Sequence, residues 1–132
     1  MRPGRLVTVQ HDVRVLDAVR VMTASDVRIV SVLQGNRFVG VLSERDVVRR
    51  VVGRELDPSR ARVGDVMTRN VIVADPDDDC ASALRRMEEA GIGHLPVMSE
   101  GYILSMLSIR DLLVAEREAR AAAPALKDRA AI

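Results

Sequence analysis

The chain has 132 residues, of which 48% are hydrophobic and 30% charged, and its formal net charge is only +1. This balance, together with a single Phe and a single Tyr, makes nucleic-acid binding an unfavoured class, because neither a basic surface nor stacking aromatics are available. The lone Cys80 excludes an internal disulfide, and no apolar run approaches the ~20 residues of a membrane span, so we expect a cytoplasmic protein.

The first part of the chain predicts a strand, a helix, a hairpin and a second helix. Residues 6–9 are a short β-branched run typical of a strand, and Val15, Ala18 and Met22 share one face of a helix over 15–25. Two strands are predicted at 28–33 and 38–42, and a helix at 44–52. This first unit extends over residues 5–53, and a polar linker that contains Pro58 (54–65) follows it.

The second part repeats this order over residues 66–117. A short helix at 63–67 leads into a strand at 71–74, and a helix over 79–90 begins at an acidic run and ends at Gly91. Strands follow at 94–98 and 102–107. The last helix begins at Ile109 and reaches about residue 122, and residues 118–132 are its end and an Ala- and charge-rich tail.

An offset of 65 residues aligns residues 6–46 with 71–111 without a gap. Nine aligned pairs are identical: Asp12/Asp77, Ala18/Ala83, Arg20/Arg85, Met22/Met87, Val32/Val97, Leu42/Leu107, Ser43/Ser108, Arg45/Arg110 and Asp46/Asp111. A single unit of about 50 residues buries too little apolar surface to be comfortably stable alone. We therefore expect an α/β (α+β) fold in which two β-α-β-β-α units, related by a pseudo-twofold axis, share a core in one composite domain.

One motif ends the hairpin of each copy and begins the following helix. It reads Gly40-Val41-Leu42-Ser43-Glu44-Arg45-Asp46 in the first copy and Ser105-Met106-Leu107-Ser108-Ile109-Arg110-Asp111 in the second. The Ser and Asp have the form of a capping box, and a cap worth ~1 kcal/mol would explain both without any ligand.

The arginine of the motif is harder to explain by helix capping. Arg45 and Arg110 lie in the first turn of a helix, where the macrodipole disfavours a cation. A bound anion such as phosphate would account for both, because the helix terminus and the guanidinium both offer donors. The alternative is that each arginine pairs with a surface acid, including one from a second copy of the chain.

The repeated order, with Gly-h-h-[Ser/Thr]-x-x-Asp at the end of the hairpin (h is hydrophobic), resembles a tandem pair of cystathionine-β-synthase (CBS) domains, the Bateman module. The resemblance covers about residues 5–117, and also rests on Val66-Met67-Thr68-Arg69-Asn70-Val71-Ile72-Val73 and Gly93-His94-Leu95-Pro96-Val97. The chain is similar to small stand-alone bacterial CBS-pair proteins. The resemblance implies a non-catalytic regulatory module that binds AMP, ADP, ATP, S-adenosylmethionine or NAD in two clefts between the units.

The resemblance also implies which residues form these clefts. The carboxylate that holds ribose corresponds to Asp46 and Asp111, and the hydroxyl beside it to Ser43 and Ser108. The base would lie among aliphatic side chains and strand backbone, and His94 would face phosphate. The implied linings are Val7, Thr8, Val30 and Ser31 for one cleft, and Ile72, Val73, Leu95 and Pro96 for the other. Ser105 replaces the motif glycine, so the clefts should differ, and the first copy is the better match to the family.

Catalysis and metal binding find no support in the sequence. No glycine-rich phosphate loop or triad-like order is present, and two His and one Cys have no metal-ligand spacing, so we expect neither an enzyme nor a catalytic cofactor. The family also implies a homodimer, for which the helices carry ample apolar surface: Val47, Val48, Val51, Val52, Leu112, Leu113 and Val114. The alternative function is a ligand-free dimerisation module that acts through protein–protein contacts.

Overall fold

The structure, a computed structural model, describes the backbone of residues 5–131 and the side chains of residues 5–122. It has a mixed α/β fold, as predicted. The elements in chain order are β1 (Thr8–Gln10), α1 (Val15–Ser25), β2 (Ile29–Gln34), β3 (Arg37–Ser43), α2 (Glu44–Asp46), a π-helical segment (Val47–Val52), α3 (Val63–Val66), α4 (Cys80–Ala90), β4 (His94–Ser99), β5 (Tyr102–Ser108) and α5 (Ile109–Ala131).

The two hairpins confirm the 65-residue repeat in their geometry. In β2–β3, Ile29 pairs with Ser43, and in β4–β5 the equivalent His94 pairs with Ser108. Each hairpin has a register shift at the same point, after Val32 in the first and after Val97 in the second. Helices α1 and α4 both end in a left-handed residue, Asp26 and Gly91, which are again 65 positions apart.

The predicted strand at 71–74 is wrong, because only an isolated bridge between Ala74 and Val97 forms there. In the first unit, the amide of Ser31 donates a 2.9 Å hydrogen bond to the carbonyl of Val7, next to β1. The equivalent of Ser31 in β4 is Pro96, which has no N–H to donate. The second unit therefore has a two-stranded sheet, β4–β5, where the first has the three-stranded order β1-β2-β3.

Each unit has its own cluster of buried side chains, in contrast to the single shared core that we expected. The first cluster includes Val30 and Leu42, and the second includes Leu95 and Leu107. The units contact each other through β3 and β5. Val41 and Met106, at equivalent positions on these strands, are buried although they belong to neither cluster.

Helix α3 and the residue after it belong to the first unit by their packing. Val63, Val66 and Met67 are buried in the first cluster, although Val66 and Met67 lie at the start of the predicted second unit. The linker therefore returns over the first unit before the chain enters the second.

The two motif helices differ in form. The first continues from α2 into the π-helical segment Val47–Val52, whereas α5 is an α-helix that passes Pro124 and ends at Ala131. The Ala-rich composition of this stretch favours helix over the tail that we expected. Within the described residues, no helix is both long enough and apolar enough to cross a membrane.

Candidate functional site

A cleft of about 1200 Å³ lies between the two units, larger than the usual small-molecule pocket of roughly 300–1,000 Å³. The starts of β2 and β4 and the helices that follow both motifs form its walls, so residues from both copies face it. Its charged and polar lining residues are Arg5, Thr23, Asp26, Arg28, Glu44, His94, Ser108, Arg110 and Asp111. This mixture of cations and carboxylates suits a ligand with both anionic and hydroxyl groups.

The second motif presents a partly free capping box to this cleft. The amide of Ser108 donates to Oδ2 of Asp111 at 3.2 Å, and the amide of Asp111 donates to Oγ of Ser108 at 3.1 Å. Asp111 is exposed, and within the described part of the chain its Oδ1 accepts no hydrogen bond. No described residue engages this oxygen or accepts the Ser108 hydroxyl proton, so both groups can face a ligand.

The carboxylate of the first motif is engaged by hydrogen bonds within the chain. Asp46 is only 8% exposed. Its Oδ2 accepts from the amide of Ser43 at 2.9 Å and from the hydroxyl at 3.1 Å, and its Oδ1 accepts from the Thr68 hydroxyl at 3.0 Å. Ser43, Arg45 and Asp46 are not among the residues that line the cleft. The free carboxylate is thus in the second copy, the one that departs from the family pattern, and a ligand at the first stays a prediction.

The motif arginines are both exposed, and neither forms an ion pair with another described residue. Arg110 lines the cleft, whereas Arg45 does not. Pairing with an acidic side chain among the described residues therefore does not account for Arg110.

His94 is influenced by charged residues of both units. Burial lowers its pKa below the ordinary value, and the positive charge of Arg28 lowers it further, whereas Asp111 and Glu44 act in the opposite direction. The lowered pKa favours the neutral imidazole, which can donate one hydrogen bond and accept another. Arg28 and Glu44 come from the first unit, and His94 and Asp111 come from the second.

The aliphatic linings implied by the family resemblance are not among the residues that line the cleft. Val30, Ser31, Leu95 and Pro96 are buried, whereas Thr8, Ile72 and Val73 are exposed and Val7 is half-buried. The Ser31 hydroxyl is buried without a hydrogen-bond partner within the described residues.

Sequence reasoning missed four charged residues of the cleft, Arg5, Asp26, Arg28 and Glu44. Arg28 and Glu44 occupy the positions of Gly93 and Ile109 in the other copy, so a repeat-based reading passes over them. A search for charged residues that the repeat does not share would have found both.

The family model "CBS domain" matches residues 1–53 and 63–118. The CBS domain-containing protein CBSCBSPB2 from Arabidopsis thaliana is 31% identical over 114 residues, which are 86% of this chain and 21% of that protein. The chain thus spans about a fifth of the length of the first curated plant relatives that it matches.

Solved structures agree with this assignment. An uncharacterized conserved protein from Pyrococcus horikoshii has a TM-score of 0.78 and 33% identity, with 85% of each chain covered. A hexameric CBS-CP12 protein from bloom-forming cyanobacteria has a TM-score of 0.75 and 26% identity, and covers 83% of this chain and 62% of its own. Since the family model matches both repeats, the chain belongs to the CBS-domain family and carries a tandem pair of CBS domains.

Proposed function

We propose that the chain is a non-catalytic, cytoplasmic regulatory module that binds an adenosine-type nucleotide in the cleft between its two CBS domains. AMP, ADP and ATP are the first candidates, followed by S-adenosylmethionine and NAD. The observation that carries the proposal is the second motif, in which Ser108, Arg110 and Asp111 line the cleft with an exposed guanidinium and a carboxylate oxygen that no described residue engages.

The chemistry of these groups fits a ribose with a phosphate. A carboxylate accepts hydrogen bonds from the two hydroxyls of a ribose, whereas it repels a phosphate. The fork of donors on Arg110 and the positive end of the long helix α5 favour the phosphate instead. A sugar alone would leave Arg110 unexplained, and an inorganic anion alone would leave Asp111 unexplained.

The opposite wall of the cleft gives the ligand a way to act on the protein. Arg28 and Glu44 belong to the first unit, so a nucleotide held by Asp111 and Arg28 would contact both units. Such a ligand favours one arrangement of the two units over another only to the extent that it binds that arrangement more tightly. The output is then a changed surface for a partner, which we propose to be a second copy of the chain or another protein.

Exposed apolar side chains on the motif helices support a homodimer. Val48 is 61% exposed and Val52 66% exposed on the first, and Leu113 and Val114 are 46% and 42% exposed on α5. The same surface supports the alternative function, a ligand-free dimerisation module, because the capping boxes stand without a ligand.

A ligand-dependent shift in thermal stability separates the two functions. We expect unfolding to be displaced upward by at least one of AMP, ADP, ATP, S-adenosylmethionine or NAD at millimolar concentration, because ligand at 100 times its dissociation constant adds ~2.7 kcal/mol to the free energy of unfolding. An absence of any shift with all five compounds would contradict the proposal and favour the ligand-free module.

The control variants for this test come from the same cleft. Asp111→Asn should abolish the shift, because the variant loses the negative charge that strengthens the bonds to the ribose hydroxyls and replaces one acceptor oxygen by an NH2 donor. Asp26→Asn removes an equal charge from the cleft wall at a left-handed position (φ 53°) that Asn tolerates, and should leave the shift in place. If both variants lost the ligand-dependent shift equally, the net charge of the cleft and not the Asp111 carboxylate would explain the shift.

A further inference from the structure

We infer that the first motif serves as an internal clasp for Val66–Thr68, the segment that leads from the linker into the second repeat, and that the chain therefore binds one nucleotide through the second motif alone. The ligand half of this inference rests on the proposed function, whereas the clasp stands on contacts within the chain. The clasp comprises Gly40, Asp46, Arg50 and Thr68.

Side chains of the first motif helix hold the linker in place. The Thr68 hydroxyl donates to Oδ1 of Asp46 at 3.0 Å, while Nη1 of Arg50 donates to the carbonyls of Val66 and Met67 at 3.1 and 2.8 Å. Arg50 also lies 4.0 Å from Oδ1 of Asp46. Asp46 and Arg50 together therefore engage both a side chain and the backbone of the linker end.

The backbone makes a second connection at the same place. The amide of Thr68 donates to the carbonyl of Val41 at 2.8 Å, and the amide of Val41 donates to the carbonyl of Thr68 at 3.0 Å. A Cβ on Gly40 would lie 2.5 Å from the Thr68 carbonyl oxygen, a distance that real side chains do not adopt. The motif glycine is thus required by the passage of the linker, independently of any ligand.

Within the residues that the structure describes, the second motif makes no counterpart of these contacts, although it keeps the Ser and Asp. The 65-residue offset places Ser105 at the position of Gly40, Ala115 at that of Arg50 and Pro3 at that of Thr68. These three residues cannot make the same contacts. Proline has no hydroxyl to donate, alanine has no guanidinium, and serine has the Cβ that glycine lacks. The two motifs have therefore diverged together in the residues that make the clasp.

The clasp makes the first carboxylate a poor ribose site. A nucleotide at Asp46 would have to displace the Thr68 hydroxyl from a carboxylate that is 8% exposed and has both oxygens bonded. Asp111 is exposed, and its Oδ1 accepts no hydrogen bond from any described residue, so binding at that oxygen breaks none of their contacts. Ligand should accordingly occupy one site per chain.

Calorimetric titration of the full chain with AMP, and separately with ATP, tests this inference. We expect one nucleotide per chain for the wild type. Thr68→Val and Asp46→Asn should keep that stoichiometry and a dissociation constant within about threefold, while both lower the unfolding temperature. Asp111→Asn should lose binding although the variant stays folded. Two nucleotides per chain, or a tenfold loss of affinity in a folded Thr68→Val variant, would overturn the inference.

The clasp is also measurable without a ligand. Because Asp46 and Thr68 contact each other, the double variant should be less destabilised than the sum of the two single variants in denaturant unfolding. If the losses in the free energy of unfolding were strictly additive, the proposed contact between Asp46 and Thr68 would be contradicted. If neither AMP nor ATP binds the wild type, the nucleotide proposal fails for these compounds, and this cycle alone then decides whether the first motif is a clasp.

Discussion

Gly40 shows how closely a single position constrains the path of the chain. A methyl group there would meet the Thr68 carbonyl oxygen, whereas nothing lies within 4 Å of a Cβ built on Gly93. Gly40→Ala should therefore destabilise the protein by about 1–3 kcal/mol through overpacking, and Gly93→Ala should be nearly neutral. Denaturant unfolding of both variants checks this, and a neutral Gly40→Ala would contradict the close approach.

His94 should make the stability of the protein depend on pH. Its pKa in the folded state is lowered, mainly by burial, so the unfolded chain binds its proton first as the pH falls. The free energy of unfolding should therefore decrease as the pH falls through the ordinary His value of 6.5, and recover as the pH rises. Arg28 reinforces the shift, while Asp111 and Glu44 oppose it.

Comparison with His94→Asn isolates this contribution from the other titrating groups. The wild type should lose stability relative to the variant between pH 7.5 and 5.5 in denaturant unfolding. A wild type that gains stability relative to the variant over that interval would show that the carboxylates outweigh burial.

The residues of the second unit that line the cleft could be predicted from local sequence, whereas those of the first unit could not. Ser108, Arg110 and Asp111 line the cleft together with His94, because a strand–helix junction fixes its own residues locally, and their role in binding stays a prediction. The contribution of Arg28 depends on how the two units pack. Periodicity carries no information about that packing, so such residues could not be placed from sequence.

At the scale of elements, Pro96 explains why the second unit has no first strand. Pro96→Ala would restore an N–H opposite the carbonyl of Ile72, as Ser31 is opposite Val7 in the first unit. We expect the new amide to be protected from hydrogen exchange within about tenfold of the Ser31 amide, because it would pair in the same way. Free exchange at residue 96, with Ser31 protected, would contradict this explanation.

The elements also show where the repeat is a good guide. Helices α1 and α4 and both hairpins lie close to the predicted bounds, because their periodic faces are local signals. The strand at 71–74 failed because a β-branched run forms a strand only if its neighbour can bond to it, and that neighbour is about 25 residues away in sequence. The π-helical turn of Val47–Val52 has no signature that we could recognise in the residues.

At the scale of the whole molecule, the exposed valines and leucines of the motif helices predict self-association. The homodimer should have twice the 14.5 kDa mass of the chain in light scattering. Val48→Asp with Leu113→Asp should produce a folded monomer, because both side chains are exposed in the single chain. Tyr102→Asp, at an exposed position on β5, is the control that should remain dimeric. A monomeric wild type would contradict the proposed interface.

The assignment of the ligand to the second motif is tested most directly by titrating isotope-labelled protein with AMP while the backbone amide signals are followed by NMR. We predict shifts concentrated at Arg28, His94 and residues 108–111, with the amides of Ser43, Asp46 and Thr68 little changed. Shifts of equal size at Ser43, Asp46 and Thr68 would contradict the assignment of the ligand to the second motif. An absence of shifts anywhere at saturating AMP would contradict AMP binding itself.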